Sequence, residues 1–248
     1  NVFRCILMHR RKILATTACR SDYDLLSSVY KKLNKDNRFN FQILVSGTHL
    51  LKKYGLTINH IISDEISIIG QIETISNKDD LNRRPMSIAK LLMDGIRIIQ
   101  NFKPDLLLSV GDREDALATC IMGIYLKVPV CHFFGGDYGE TRDVDGHIRH
   151  ACSKLSMAHF VISKEHEDRL LSIGENKDRI YNVGHPHLDN YVSTSRMEIE
   201  EIFSELSCTK NIKEPYCILI YHPSYVSMEI TEKEIKTIIE VIKQENQL

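Results

Sequence analysis

The stretch DLLLSVGDREDALATCIMGIYLKVPVCHFFGG, from Asp105 to Gly136, decides the fold. It opens with a run of leucines and valine, continues with apolar residues at helical spacing, and ends in a second apolar run before two glycines. Nearly continuous apolar strands are typical of parallel sheets, because both faces of such a sheet are covered. A strand, a helix and a strand in this order therefore predict a parallel βαβ unit.

The same alternation continues on both sides of this unit. It predicts an α/β fold, a doubly wound parallel sheet of Rossmann-like type. The region from Gly47 to about Asn82 is polar and less regular and receives no strand. We expect one Rossmann-like domain over residues 9–190, and over 191–248 a linker and the start of a second such domain. Further strands are predicted at 12–17, 41–47, 158–163 and 217–224, a strand and turn at 179–189, and further helices at 22–35, 87–102, 147–157, 164–174, 195–206 and 231–247.

Charge and cysteine content exclude several classes of protein. The net charge is −1, so no overall field favours nucleic acid or an anionic membrane. No apolar run approaches the ~20 residues that span a bilayer. Seven cysteines without a CxxC pair are typical of reduced thiols in a cytoplasmic protein. We expect neither a nucleic-acid nor a membrane partner.

Charged residues follow the predicted strands where a doubly wound sheet binds its ligands. Asp112 and Arg113 come directly after one strand. One interpretation is a carboxylate that accepts a proton beside a guanidinium that binds phosphate. The other is a helix N-cap beside a surface ion pair. The residues favour neither interpretation. Arg20 follows the first strand near a helix N-terminus, which suits an anion, but taken alone a capping loop is the better interpretation. His222 follows the last predicted strand, where a capping or surface histidine is the simpler interpretation.

The segment HFFGGDYGETRDVDGHIRH, from His132 to His150, concentrates acidic residues after a predicted strand. Like charges raise one another's pKa, which prepares a carboxyl group to carry a proton near neutral pH. A solvated loop rich in glycine and aspartate fits the segment as well. The spacings typical of zinc sites are absent, so we expect no metal.

Five motifs occur together in one order, and they resemble the hydrolysing UDP-N-acetylglucosamine 2-epimerases of sialic acid and related biosynthesis. The resemblance implies the N-terminal half of a GT-B fold, in which two Rossmann-like domains face a cleft. It implies a reaction without metal or cofactor, in which a base removes the C2 proton, UDP leaves by anti elimination, and water adds to the resulting glycal. The motifs are KILATTACRSDYDLLSSVYKKL, LVSGTHLLKKYGLT, KPDLLLSVGDREDALA, HFFGGDYGETRDVDGHIRHACSKL and VGHPHLD.

The resemblance assigns roles to individual positions. Asp112 and Asp145 match catalytic carboxylates. Arg20 and Arg113 match arginines that contact the nucleotide, and His222 matches a histidine of the second domain. The implied partner is a UDP-sugar, and the implied assembly is a homodimer or homotetramer of the full-length protein.

Two departures from the family pattern matter. Phe134 stands where the family has a catalytic glutamate before the glycine pair, and phenylalanine cannot accept a proton. Asp137, Glu140 or Asp143 is then expected to take over, with Asp137 our first choice. The substitution suggests a related substrate, such as a UDP-linked diacetamido-trideoxyhexose of the legionaminic acid route.

The second departure concerns the extent of the chain. The family's remaining nucleotide-binding residues would follow Leu248, so we expect weak or absent turnover from this chain alone. A GT-B glycosyltransferase and a non-catalytic sugar-nucleotide-binding module stay as alternatives.

Overall fold

The computed structural model describes residues 10–75, 82–137, 144–193, 195–207, 218–221 and 228–244. The chain divides into two compact units, residues 1–193 and residues 194–248. The first unit contains the whole described sheet. The described elements of the second unit are two helices, and its nature as a second Rossmann-like domain stays a prediction.

The first unit is built on a sheet of seven parallel strands in the order β3-β2-β1-β4-β5-β6-β7. The strand order reverses between β1 and β4. This makes the gap between them a topological switch point, where open α/β sheets bind ligands. The strands are β1 (Arg11–Thr17), β2 (Phe39–Ser46), β3 (Ile68–Ile72), β4 (Leu106–Val110), β5 (Val130–Phe133), β6 (Ala158–Val161) and β7 (Ile180–Asn182).

Helices cover both faces of the sheet. Among the described helices, none is long and apolar enough to cross a membrane. The helices are α1 (Arg20–Lys35), α2 (Ile58–Ser63), α3 (Arg83–Phe102), α4 (Glu114–Leu126), α5 (Val144–Leu155), α6 (Lys164–Ser172), α7 (Leu188–Ser193), α8 (Ile199–Glu205) and α9 (Met228–Gln244).

Alternating residues of each strand divide the core into two layers. Ile13 and Ala15 of β1 pack with Tyr23 of α1 on one face, whereas Leu14 packs with Leu91 of α3 on the other. Apolar side chains are thus buried away from water on both faces of the sheet, which accounts for the uninterrupted apolar strands.

The predicted α/β fold is confirmed, with three local corrections. The stretch interpreted as irregular contains α2 and β3; β3 is an edge strand interrupted by Gly70 and Gln71, so its apolar pattern is weak. Helix α3 begins at Arg83 rather than Ser87, because a proline in the first turn removes no helical hydrogen bond. Of the strand predicted at 217–224, residues 218–221 are described, and they form no strand.

Candidate active site

An ion-pair cluster of two largely buried side chains and one half-exposed carboxylate joins the ends of two neighbouring strands. Asp112 follows β4, Asp137 follows β5, and Arg149 of α5 pairs with both carboxylates. The side chains of Asp112 and Arg149 are only 17% and 15% exposed, so their charges interact with little screening by water. Asp112 is not a helix N-cap, since Arg113 takes that position at α4, and this alternative is wrong.

Asp137 also faces a histidine that sequence reasoning missed. The Nε2 atom of His166 lies 3.5 Å from Asp137 Oδ1, and burial lowers the pKa of His166 although Asp137 opposes that change. The approach depends on Gly136, which has a φ of +76°. A Cβ atom there would lie 2.2 Å from the His166 carbonyl oxygen. Any other residue at position 136 would force α6 away from Asp137.

Asp145 belongs to a second ion-pair group. Arg84, in the first turn of α3, places Nη2 2.6 Å from Asp145 Oδ1 and also pairs with Glu114 of α4. Asp145 lies one helical turn before Arg149, so both project from the same face of α5. Helix α5 therefore contributes a carboxylate and a guanidinium cation to one region, where Arg84 pairs with the carboxylate.

The two arginines assigned to the nucleotide lie on either side of the switch point. Arg20 is the first residue of α1, and its side chain is 66% exposed, with Nε 3.5 Å from Asp24. Arg113 precedes α4, is half exposed, and places Nε 3.8 Å from Asp22 Oδ1. Their weak ion pairs leave both guanidinium groups accessible to an anion at the ends of β1 and β4.

Beneath these arginines lie two buried acids. Asp22 accepts a hydrogen bond from the thiol of Cys19 at 3.0 Å, and both oxygens of Asp115 lack a hydrogen-bond partner among the described residues. Burial raises the pKa of Asp115 well above its usual range, the charge of Asp22 raises it further, and Arg113 opposes the change. Burial likewise raises the pKa of Asp22. An uncharged Asp115 relieves both the desolvation and the repulsion.

Asp115→Asn is therefore expected to stabilise the protein at alkaline pH. A raised pKa in the folded state means that stability falls as pH rises from about 4, the value of an unfolded aspartate, through the folded pKa. An amide removes this dependence, so the free energy of unfolding should exceed the parent's by roughly 1–3 kcal/mol at pH 8 and match it near pH 4.

Urea unfolding followed by circular dichroism at pH 4.5 and pH 8 measures the effect. Asp94→Asn, in an exposed pair with Lys90, is the matched control and should shift stability by no more than about 0.5 kcal/mol. A parent protein as stable at pH 8 as its Asp115→Asn variant would contradict the assignment of an uncharged Asp115.

Phe134 occupies the position between β5 and the glycine pair. Its side chain is buried, its φ is +66°, and its ring lies 5.4 Å from the ring of His185. The left-handed backbone is uncommon for a bulky residue and marks a position held by its surroundings. Phe134 thus packs in the hydrophobic core and supplies no carboxylate. The Asp137 carboxylate lies three residues further on.

Some of the predicted site residues lie together in the structure, and others lie outside the described residues. Asp112 and Asp137 share Arg149, and Asp145 is one helical turn away from that arginine. His222, Glu140 and Asp143 lie outside the described residues. Within the described ranges, no group of three or more His, Cys, Asp or Glu side chains could hold a metal ion.

Fold and site together define a doubly wound α/β domain with arginines at the ends of β1 and β4 and paired acidic residues at the ends of β4 and β5. The family model described as UDP-N-acetylglucosamine 2-epimerase matches residues 31–248. The chain belongs to this family.

Two curated relatives and one solved structure illustrate the similarity. The chain is 34% identical to UDP-N,N'-diacetylbacillosamine 2-epimerase (hydrolyzing) of Legionella pneumophila, covering 93% of this chain and 60% of that protein. It is 29% identical to GDP/UDP-N,N'-diacetylbacillosamine 2-epimerase (hydrolyzing) of Campylobacter jejuni, covering 94% and 59%. The crystal structure of UDP-GlcNAc 2-epimerase from Neisseria meningitidis bound to UDP-GlcNAc matches with a TM-score of 0.64 at 20% identity, covering 80% and 50%. The chain thus spans about three-fifths of the length of the curated relatives it matches.

Proposed function

We propose that this chain forms the acid–base part of a hydrolysing UDP-sugar 2-epimerase. The observation that carries the proposal is the pairing of Asp112 and Asp137 through Arg149 at the ends of β4 and β5. One carboxylate can accept a proton while the other, near His166, can return one. The arginine fixes the spacing of both carboxylates.

In the proposed reaction, a carboxylate takes the proton from C2 of the sugar, the C1–O bond to UDP breaks, and a C1=C2 double bond forms. Water then adds its hydroxyl group to C1, and a proton returns to C2 from the opposite face. The products are UDP and the free 2-epimer. We assign the acid–base steps to Asp112, Asp137 and Asp145, and the pyrophosphate contacts to Arg20 and Arg113, whose charges offset those of the departing UDP.

The proposed substrate is a UDP-linked diacetamido sugar rather than UDP-N-acetylglucosamine. Both curated relatives described above are named for N,N'-diacetylbacillosamine. The buried Phe134 also puts an apolar ring where the family resemblance places a glutamate. We further propose His222 as a nucleotide contact, a homodimeric or homotetrameric assembly, and the cytoplasm as its location.

Turnover in deuterium oxide tests the proposal. The experiment uses the intact protein, which has the full length of the relatives and contains this chain. It is incubated with UDP-N,N'-diacetylbacillosamine and, separately, with UDP-N-acetylglucosamine. We expect UDP release with deuterium at C2 of the free sugar, and faster turnover of the diacetamido substrate. Each of the two substrates serves as the control for the other.

Each of the other outcomes contradicts one part of the proposed function. Turnover of UDP-N-acetylglucosamine alone would refute the substrate assignment and leave the reaction intact. Transfer of the sugar to an added acceptor would favour a glycosyltransferase. Binding of both UDP-sugars without turnover would favour a non-catalytic binding module.

A further inference from the structure

His132 contacts the residue before Asp112 and the residue one helical turn after Arg149. It is the third residue of β5, its side chain has no exposed surface, and both ring nitrogens have partners. Nε2 lies 2.7 Å from the carbonyl oxygen of Gly111, and Nδ1 lies 3.1 Å from Ser153 Oγ. The ring therefore touches the end of β4 on one side and α5 on the other.

The partners of His132 determine where its proton lies. A carbonyl oxygen only accepts, so Nε2 carries the hydrogen and donates it to Gly111. Burial lowers the pKa of His132 to about 4, which keeps the ring neutral at neutral pH. Nδ1 is then an acceptor that faces the Ser153 hydroxyl, and it shares the single hydrogen of that hydroxyl with the carbonyl oxygen of Arg149, which lies 3.1 Å from Ser153 Oγ. The imidazole has a fixed tautomer and a fixed orientation.

These contacts adjoin the two residues of the ion pair. Gly111 directly precedes Asp112, and its φ of +73° turns the chain at the end of β4. Ser153 follows Arg149 by one helical turn. A Cβ atom on Gly135 would lie 3.2 Å from His132 Nδ1 and 2.9 Å from Ser153 Oγ, so there is little room for the ring to shift. The His132 side chain thus sets the distance between the backbone at Asp112 and the turn of α5 that contains Arg149.

We propose that His132 is a positioning residue for the reaction: its imidazole bridges the Gly111 carbonyl and Ser153, and so aims the Asp112 carboxylate. The inference rests on the proposed function, since it concerns the orientation of the proposed base. The hydrogen bonds of the His132 ring go to Gly111 and Ser153 and not to the carboxylates assigned to the reaction. Replacing hydrogen-bond partners that orient metal ligands typically lowers activity by about 10–100-fold, and we expect an effect of that size for a residue that orients the proposed base.

A pair of amide substitutions separates the two ends of the bridge. The amide nitrogen of glutamine reaches the position of Nε2 and can still donate to Gly111, whereas that of asparagine stops at the position of Nδ1. In the intact protein we expect kcat of His132→Asn to fall by about 10–100-fold with KM nearly unchanged, and His132→Gln to regain most of the loss. His159→Gln, at the neighbouring register position in β6 and bonded to Glu175, is the matched control and should keep the parent kcat.

A second measurement uses this chain alone and does not require turnover. The ¹³C chemical shift of the Asp112 carboxyl group, followed from pH 3 to pH 8, should change in His132→Asn and return towards the parent in His132→Gln. If the intact protein shows no turnover, the proposed function fails, and this titration still tests the positioning role.

An asparagine variant with the parent's kcat, or a glutamine variant as slow as the asparagine one, would overturn the inference. An Asp112 titration identical in the parent and both variants would overturn it too. If His132→Asn does not fold, His132→Leu fills a similar space without a donor for the Gly111 carbonyl oxygen, and an unchanged kcat and Asp112 titration in that variant would be equally decisive.

Discussion

Asp112→Asn in the intact protein is expected to lower kcat for the UDP-sugar by about 10²–10⁴-fold, with KM little changed. Asparagine keeps the shape of the side chain but cannot accept a proton. Arg149 retains Asp137 as its partner in this variant, so the site keeps a paired arginine. Release of UDP, measured by a coupled assay at saturating substrate, reports the loss.

Asp36→Asn is the matched control for this substitution. Asp36 also pairs with an arginine, Arg38, but their ion pair lies in the turn between α1 and β2, away from the carboxyl ends of the strands. Its replacement should leave kcat unchanged. An Asp112→Asn enzyme that kept more than about a tenth of the parent kcat would remove Asp112 from the role of base.

The sequence predicted the fold well because the buried strands leave a strong local signal. Strands β1 and β4 are apolar on both faces, and each ends in a charged or glycine-containing turn. The edge strand β3 escaped prediction since an edge strand needs fewer apolar residues than a central one.

The candidate site could be predicted only in part, because its contacts join residues far apart in the chain. Asp112 and Asp145 were assigned from their motifs, yet their partners Arg149 and Arg84 are 37 and 61 residues away from them. No periodicity connects such pairs. The buried acid Asp115 also escaped, since an aspartate in the first turn of a helix is ordinarily a solvated residue that interacts with the helix dipole.

Phe134 illustrates both what the sequence could predict about the site and what it could not. Comparison with the family motif revealed that a carboxylate is missing, and this followed from the sequence. That the residue has a left-handed backbone and packs against His185 follows from the structure alone. The sequence left Asp137, Glu140 and Asp143 as replacements; the pairing of Asp137 with Arg149 and its approach to His166 favour Asp137.

Arg149→Met should destabilise the first unit by about 3–5 kcal/mol, since it leaves the largely buried Asp112 charge without a partner. Methionine fills much of the same volume, so the loss is mainly electrostatic. Urea unfolding of this chain at pH 7.5, followed by circular dichroism, measures the change.

A double-mutant cycle with Asp112→Asn isolates the electrostatic part of this effect. Adding Asp112→Asn to Arg149→Met removes the unpaired charge, so the double variant should be more stable than Arg149→Met alone, with a coupling energy of roughly 1–3 kcal/mol. Arg38→Met breaks an exposed arginine–aspartate pair and should change stability by no more than about 0.5 kcal/mol. Additive effects of the two site substitutions would mean that Arg149 does not stabilise the Asp112 charge. A clear coupling would mean that Arg149 keeps Asp112, the proposed base, ionised in the folded protein. The stability of this unit would then depend on the same protonation state that the proposed chemistry requires.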